Sequence, residues 1–233
     1  MQSLSSSQVR TALDFPRLID ALRVMFAEGC EVPLRHTHLI GDTGTSLLMP
    51  AWRVGRRFGV KIVNIFPGNA QLGKPGLNST YTLFDARTGE PLSVMDGNEI
   101  TSRRTVAASA LAASYLARAD SRKLLVVGAG RVASLTFAAM STVLKAIAQV
   151  RVWNVTAPEA AALVAQLRGE GVDASVAEDL GSSCAWADVI SCATLATTPL
   201  IKAEWLRPGT HVDLIGSFTP AMTEVEVRCI WRA

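Results

Sequence analysis

KLLVVGAGRVA, residues 123–133, decides the fold of this chain. Leu124 to Val127 are apolar without alternation, as a strand must be when both of its faces are covered. They run directly into Gly128-Ala129-Gly130-Arg131-Val132-Ala133, a G-x-G-x-x-A pattern that opens a helix. Gly128 permits the tight turn, Gly130 lets a backbone approach a pyrophosphate, and Ala133 allows the helix to pack closely on the strand. Amides at the helix start would then hold the phosphates. A tight strand–helix turn with no ligand is the competing reading, because many folds carry glycines in this pattern.

Outward from that stretch, strand and helix keep alternating. A helix to about residue 148, the strand VRVWNV, a helix to about residue 168, and the strands ADVISCAT and HVDLIGS follow in order. This predicts a parallel sheet covered on both faces, a Rossmann-type α/β domain over residues 121–233. Asn154, Val155 and Thr156 stand at the end of VRVWNV, where a site selective for NAD carries an acid for the ribose hydroxyls. An Asn amide and a Thr hydroxyl can both donate to a 2′-phosphate, which tilts the cofactor from NAD towards NADP. Asn154 capping the next turn is the alternative. Cys192, Ala193 and Thr194 end the strand ADVISCAT at the crevice where such sheets bind ligands. Their small side chains either leave room for a nicotinamide or simply pack a buried strand end.

The first half has a different rhythm. Asp14 is placed to cap FPRLIDALRVMFAEG, with Pro16 in its first turn and Gly29 at its end, which predicts one amphipathic helix. VPLRHTHLI, TSLLMPAW, FGVKIVNIFP, STYTLFDA and PLSVMDG then read as short strands between Gly, Pro and Asn, hence an antiparallel sheet. TSRRTVAASALAASYLA, rich in Ala and free of Gly and Pro, should be a long helix leading out of it. The chain thus divides near residue 120, with an α+β domain over residues 1–120 ahead of the dinucleotide domain.

Bulk properties narrow the classes. With 233 residues, 49% of them hydrophobic, the chain can bury a sizeable core. Its 23 basic and 20 acidic residues give a net charge of +3 spread along the sequence, with no basic stripe to track a nucleic acid. No apolar run reaches the length of a membrane span, and MQSLSSSQVR lacks the order of a signal peptide, so a cytoplasmic protein is expected. Cys30, Cys184, Cys192 and Cys229 are far apart and read as reduced thiols. His36 and His38 share one strand face, but no third ligand is in view, and no metal is assigned.

Three cations sit in apolar sequence: Arg35 in VPLRHTHL, Lys61 in FGVKIVNIF and Arg104 in ITSRRTVAAS. A buried cation needs a partner or a ligand. Arginines hold a carboxylate in two-pronged geometry, and a lysine of shifted pKa can donate a proton. Together they would suit an α-amino or α-imino acid; taken singly, each reads first as a structural ion pair. Arg103 is expected to face solvent on the other side of the helix.

The runs LLMPAW, GVKIVNIFPGN, YTLFDARTGEPLSVMDG, RRTVAASALAASYLARADSRKLLVVGAGRVA, VRVWN and ADVISCAT resemble the ornithine cyclodeaminase/mu-crystallin family over residues from about 10 to 226. The resemblance implies a substrate and dimerisation domain followed by a Rossmann domain, and a homodimer. It places Lys61 and Arg104 in the family's substrate positions, Arg35 as the other carboxylate-binding arginine, and Ser79 where a hydroxyl contacts the cofactor. Members of the family reduce cyclic ketimines with NAD(P)H, oxidise alanine, or cyclise ornithine; crystallin-type members bind the dinucleotide without catalysis. Two departures bear on the choice. The cyclodeaminase carries a catalytic aspartate where GSFTP, residues 216–220, has Phe218, so the base for ornithine is gone and an imino-acid reductase is favoured. TEVEVRCIWRA also stops where the family continues, which implies a short C-terminus. Met49 and Phe218 are candidates for lining the substrate pocket.

Overall fold

The computed structural model of the chain describes residues 1–217 and 219–231, Ala70 by its backbone alone. It divides into two compact units, Met1–Arg104 and Thr105–Ala233.

The first unit opens with β1 (Gln2–Leu4), α1 (Ser6–Ala12) and α2 (Phe15–Glu28). Hydrophobic periodicity does not mark β1 or α1 within the serine-rich start. The signal is Ser5 followed three residues on by Gln8: the Gln8 amide donates to Ser5 Oγ, and the Ser5 amide donates to Gln8 Oε1 at 2.9 Å. For α2 the caps are those expected. Asp14 Oδ1 accepts from the Arg17 amide at 3.1 Å, and Gly29, at φ 78°, ends the helix with its amide on the Met25 carbonyl. Phe15, Leu18 and Ile19 are its buried face.

β2 (His36–Ile40), β3 (Gly44–Arg53), β4 (Arg57–Ile65), β5 (Leu77–Asp85) and β6 (Pro91–Asp96) form an antiparallel meander. β1 adds to β6 in parallel, so the six-stranded sheet is mixed rather than purely antiparallel, in the order β1-β6-β5-β4-β3-β2. Register places Lys61 of β4 opposite Met49 of β3 and Tyr81 of β5. A Cβ at Gly59 would lie 1.9 Å from the Tyr81 hydroxyl, so a side chain there would have to displace Tyr81. α3 (Gly97–Leu116) starts four residues before Thr101, because Asp96 Oδ1 accepts the amides of Asn98 and Glu99 at 2.8 and 3.0 Å and caps the helix there.

The second unit contains β7 (Lys123–Val127), α4 (Thr136–Val143), β8 (Gln149–Trp153), α5 (Ala157–Gly169), β9 (Asp173–Val176), α6 (Leu180–Trp186), β10 (Val189–Cys192), β11 (His211–Leu214) and α7 (Val227–Ile230). All five strands are parallel in the order β11-β10-β7-β8-β9, a Rossmann-type sheet whose order reverses between β7 and β10. Leu124 to Val127 are at most 1% exposed, and burying each such side chain stabilises by roughly 1.5–3 kcal/mol. Two elements have no clear signature in the sequence. β9 is four residues with a single buried side chain, Ala174, and α6 is a short LGSSCAW helix capped by Asp179. α4 ends at Val143, short of residue 148, as Leu144 leaves helical backbone.

Candidate active site

In the first unit β4, α3 and the segment before β2 carry three cations that share one field. Lys61, half-buried at the middle of β4, donates from Nζ to Thr101 Oγ1 at 3.3 Å. Burial pushes its pKa down to about 8, helped by the positive charges of Arg104 and then Arg35. Surrounding protein also lowers the Arg104 pKa, and Arg35 adds to that. Among the described residues, none of the three is paired with a carboxylate. Thr101 and Tyr81 are members of this neighbourhood that sequence reading misses; strand register alone could have found Tyr81, since it faces Lys61.

The local environments differ from those expected. Arg35 lies exposed on the segment before β2, and Arg104 keeps an exposed surface. Arg103 is the enclosed arginine, 7% exposed. Its Nε donates to the Leu13 carbonyl at 2.7 Å, its guanidinium lies 4.2 Å over the Phe15 ring, and Glu99 is 3.8 Å away. One residue along a helix turns the side chain by about 100°. Position 103 thereby meets the connection between α1 and α2, and position 104 does not. Ser79 donates from Oγ to Asn98 Oδ1 at 2.8 Å and lines a polar recess of about 430 Å3 with Asn64, Asn78, Thr80 and Asn98. Met49 sits beside Lys61 across the sheet; Phe218 lies outside the described residues. His36 and His38 are exposed, and among the described residues no group of three or more His, Cys, Asp or Glu could hold a metal.

In the second unit the glycine turn fits a dinucleotide. Gly128 has φ 112°, and a Cβ there would come 2.6 Å from the Ala193 carbonyl oxygen, so the turn packs backbone to backbone on the end of β10. A Cβ on Gly130 would meet nothing within 4 Å: the space beside it is open, as an approaching pyrophosphate requires. No side chain caps the helical turn at Val132, Arg131 is exposed, and Ala133 is 2% exposed against the strand. These amides can hold phosphate oxygens.

Cys192 belongs to the core. It is fully enclosed, burial drives its thiol well above the ordinary range, and its side chain lines no cleft. Ala193 and Thr194 do reach the strand end, and an unforeseen residue fixes them. Glu224, 1% exposed, accepts from the Thr194 amide at 2.7 Å, the Thr194 hydroxyl at 2.8 Å and the Gly216 amide at 2.8 Å. One carboxylate thereby ties the ends of β10 and β11. No local pattern announces it, because Thr194 lies 30 residues away and the approach of Gly216 depends on the fold. At the end of β8, Asn154 and Thr156 do not project free donors. Both are bonded to Glu159, an acid on the first turn of α5.

A model of the ornithine cyclodeaminase/mu-crystallin family matches residues 10–233. The chain is 37% identical over 235 residues to a Delta(1)-pyrroline-2-carboxylate reductase of Paracoccus denitrificans, covering 100% of this chain and 73% of that one. Among solved structures it is similar to the Delta(1)-pyrroline-2-carboxylate reductase of Thermococcus litoralis in complex with NADH and L-proline. There the TM-score is 0.90 at 28% identity, over 99% of this chain and 73% of that one. An archaeal alanine dehydrogenase dimer with bound NAD gives a TM-score of 0.89 at 30% identity, over 100% and 72%.

Proposed function

This chain belongs to the ornithine cyclodeaminase/mu-crystallin family, and from that premise we propose that it reduces the C=N bond of a small cyclic imino acid of the pyrroline-2-carboxylate type. The observation that carries the reading is the set of Lys61, Arg104 and Arg35, which share one electrostatic field without a carboxylate partner among the described residues. Such a set is completed by an anionic substrate.

Arg104 and Arg35 grip the substrate carboxylate, and the two-pronged contact orients the ring. Lys61, with its pKa near 8, is mostly an ammonium at neutral pH and donates to the imine nitrogen, which makes the neighbouring carbon electron-poor. The nicotinamide dinucleotide, when bound, supplies the hydride that this carbon accepts. The nitrogen gains the proton, and the product is the cyclic amino acid. Gly128, Gly130, Arg131, Val132 and Ala133 supply the phosphate-binding turn, Ala193 and Thr194 the shelf at the end of β10, and Ser79 a further hydroxyl contact. The two named reductases, one of them solved with NADH and L-proline, support this choice of substrate. A phenylalanine at position 218 argues against ornithine cyclisation, which needs an acid there.

Alanine oxidation is the second reading, favoured by the archaeal alanine dehydrogenase, and the dimer in that structure supports a homodimer here. One assay series separates these activities. Oxidation of reduced dinucleotide is followed with pyrroline-2-carboxylate, piperideine-2-carboxylate or pyruvate plus ammonia, and reduction of oxidised dinucleotide with ornithine. Turnover on the cyclic imines is expected. Turnover only on pyruvate plus ammonia would move the assignment to alanine dehydrogenase, and dinucleotide binding without any turnover would indicate a crystallin-like binder. No helix among the described residues is long and apolar enough to cross a membrane.

A further inference from the structure

We propose that Glu159 makes the dinucleotide site selective for NAD(H) over NADP(H), an inference that rests on the dinucleotide reading above. In a parallel sheet of this order, the adenosine ribose of a bound dinucleotide falls at the carboxyl end of the strand beside the glycine-turn strand. Here that strand is β8, and the residues at its end are Asn154, Val155 and Thr156. Sequence alone assigns the Asn amide and the Thr hydroxyl to a 2′-phosphate, since no acid occupies the strand end. The folded corner spends both donors elsewhere. Asn154 Nδ2 donates to Glu159 Oε2 at 2.6 Å and to Thr156 Oγ1 at 2.6 Å, and Thr156 Oγ1 donates to the same Glu159 oxygen at 2.5 Å.

The consequence is a reversal of charge. Two neutral donors that could greet a phosphate instead hold a carboxylate in place at the ribose corner. A 2′-phosphate carries roughly −1.5 to −2 charges near neutral pH, so it would be repelled and would also have to break these bonds to find a donor. A free 2′-hydroxyl can donate to a carboxylate oxygen without disturbing Asn154 or Thr156. Among the described residues no ion pair offsets Glu159, and the side chain between the two donors, Val155, is apolar and 79% exposed. Arg131 of the glycine turn is exposed and forms no ion pair with Glu159 among the described residues. Glu159 also stands in the first turn of α5, where an acid favours the helix start. That role predicts a small stability effect and no effect on cofactor choice, which is how the two roles are told apart.

Equilibrium binding of NADH and NADPH, read by nicotinamide fluorescence without substrate, tests the proposal on the native chain and on Glu159→Gln. The native chain should bind NADH about tenfold or more tightly than NADPH, a difference of about 1.4 kcal/mol or more. Glu159→Gln should shrink that ratio to near unity, chiefly by tightening NADPH, with the melting temperature of the ligand-free protein little changed. The native preference should also narrow as salt is raised, because an exposed carboxylate is screened. Equal affinity in the native chain, tighter NADPH, or an unchanged ratio in Glu159→Gln would each overturn the proposal while leaving the dinucleotide reading intact. Binding of neither dinucleotide would overturn both.

Discussion

The two units bury their sheets to very different degrees. In the second, Leu124 to Val127 of β7 and the whole of β10 are buried, and Leu125, Val127, Ile190 and Cys192 join Ile201, Ala203 and Val225 in one continuous core. In the first, β3 is half-buried along nine of its ten residues, and β2, at the sheet edge, is exposed throughout. Phe26, Val32, Leu34 and Leu39 are all more than 60% exposed there. A closed core is what a nucleotide-binding scaffold needs, because the glycine turn must keep its shape when the ligand leaves. Half-covered strands and an exposed edge leave the first unit with apolar side chains that its own fold does not cover. The contrast teaches where change should be tolerated: the first unit should respond to mutation in its chemistry, the second in its stability.

The largest effect should come from chemistry in the first unit. Lys61→Met should lower kcat by roughly 10²- to 10⁴-fold while leaving the NADH dissociation constant within about threefold. A comparable loss in both would break the division of labour between units. Next is the core of the second unit. Ile190→Ala should destabilise by about 2–5 kcal/mol in denaturant melts, whereas Leu39→Ala on β2 should stay within about 0.5 kcal/mol for the monomer. Similar losses at the two sites would erase the contrast. Gly128→Ala should cost about 1–3 kcal/mol through its φ of 112° and the approach to Ala193, and should abolish measurable dinucleotide binding.

The smallest effect should be the pH response of Lys61. Its folded pKa, about 8, lies below the unfolded 10.5, so folding carries a penalty below pH 8 that is relieved as pH rises towards 10.5. Activity runs the opposite way: the ammonium donates only while protonated, so turnover should hold below pH 8 and fall above it. Stopped-flow rates across pH 6–10 would check this, and a rising limb above pH 8 would count against Lys61 as the proton donor.

How much of this was legible beforehand follows from where each signal lives. The parallel sheet was readable because Leu124 to Val127 have both faces buried and lead directly into the glycines. The cap at Asp14 and the stop at Gly29 were readable because both act within three or four residues. β1 escaped notice because a three-residue strand has no period and depends on β6, some ninety residues on. The choice of Arg103 as the buried arginine depends on which side of α3 meets Leu13 and Phe15, a tertiary fact. Glu159 and Glu224 were missed for a related reason. An acid becomes part of a site through the donors that find it, and for Glu224 those donors lie at Thr194 and Gly216.

Glu224 has a consequence for how such a protein can diversify. Its one carboxylate accepts two backbone amides and a hydroxyl from the ends of two strands. Losing it would strand all three donors at once. Drift at position 224 is therefore closed off, and a lineage that acquires such a clasp can scarcely give it up again.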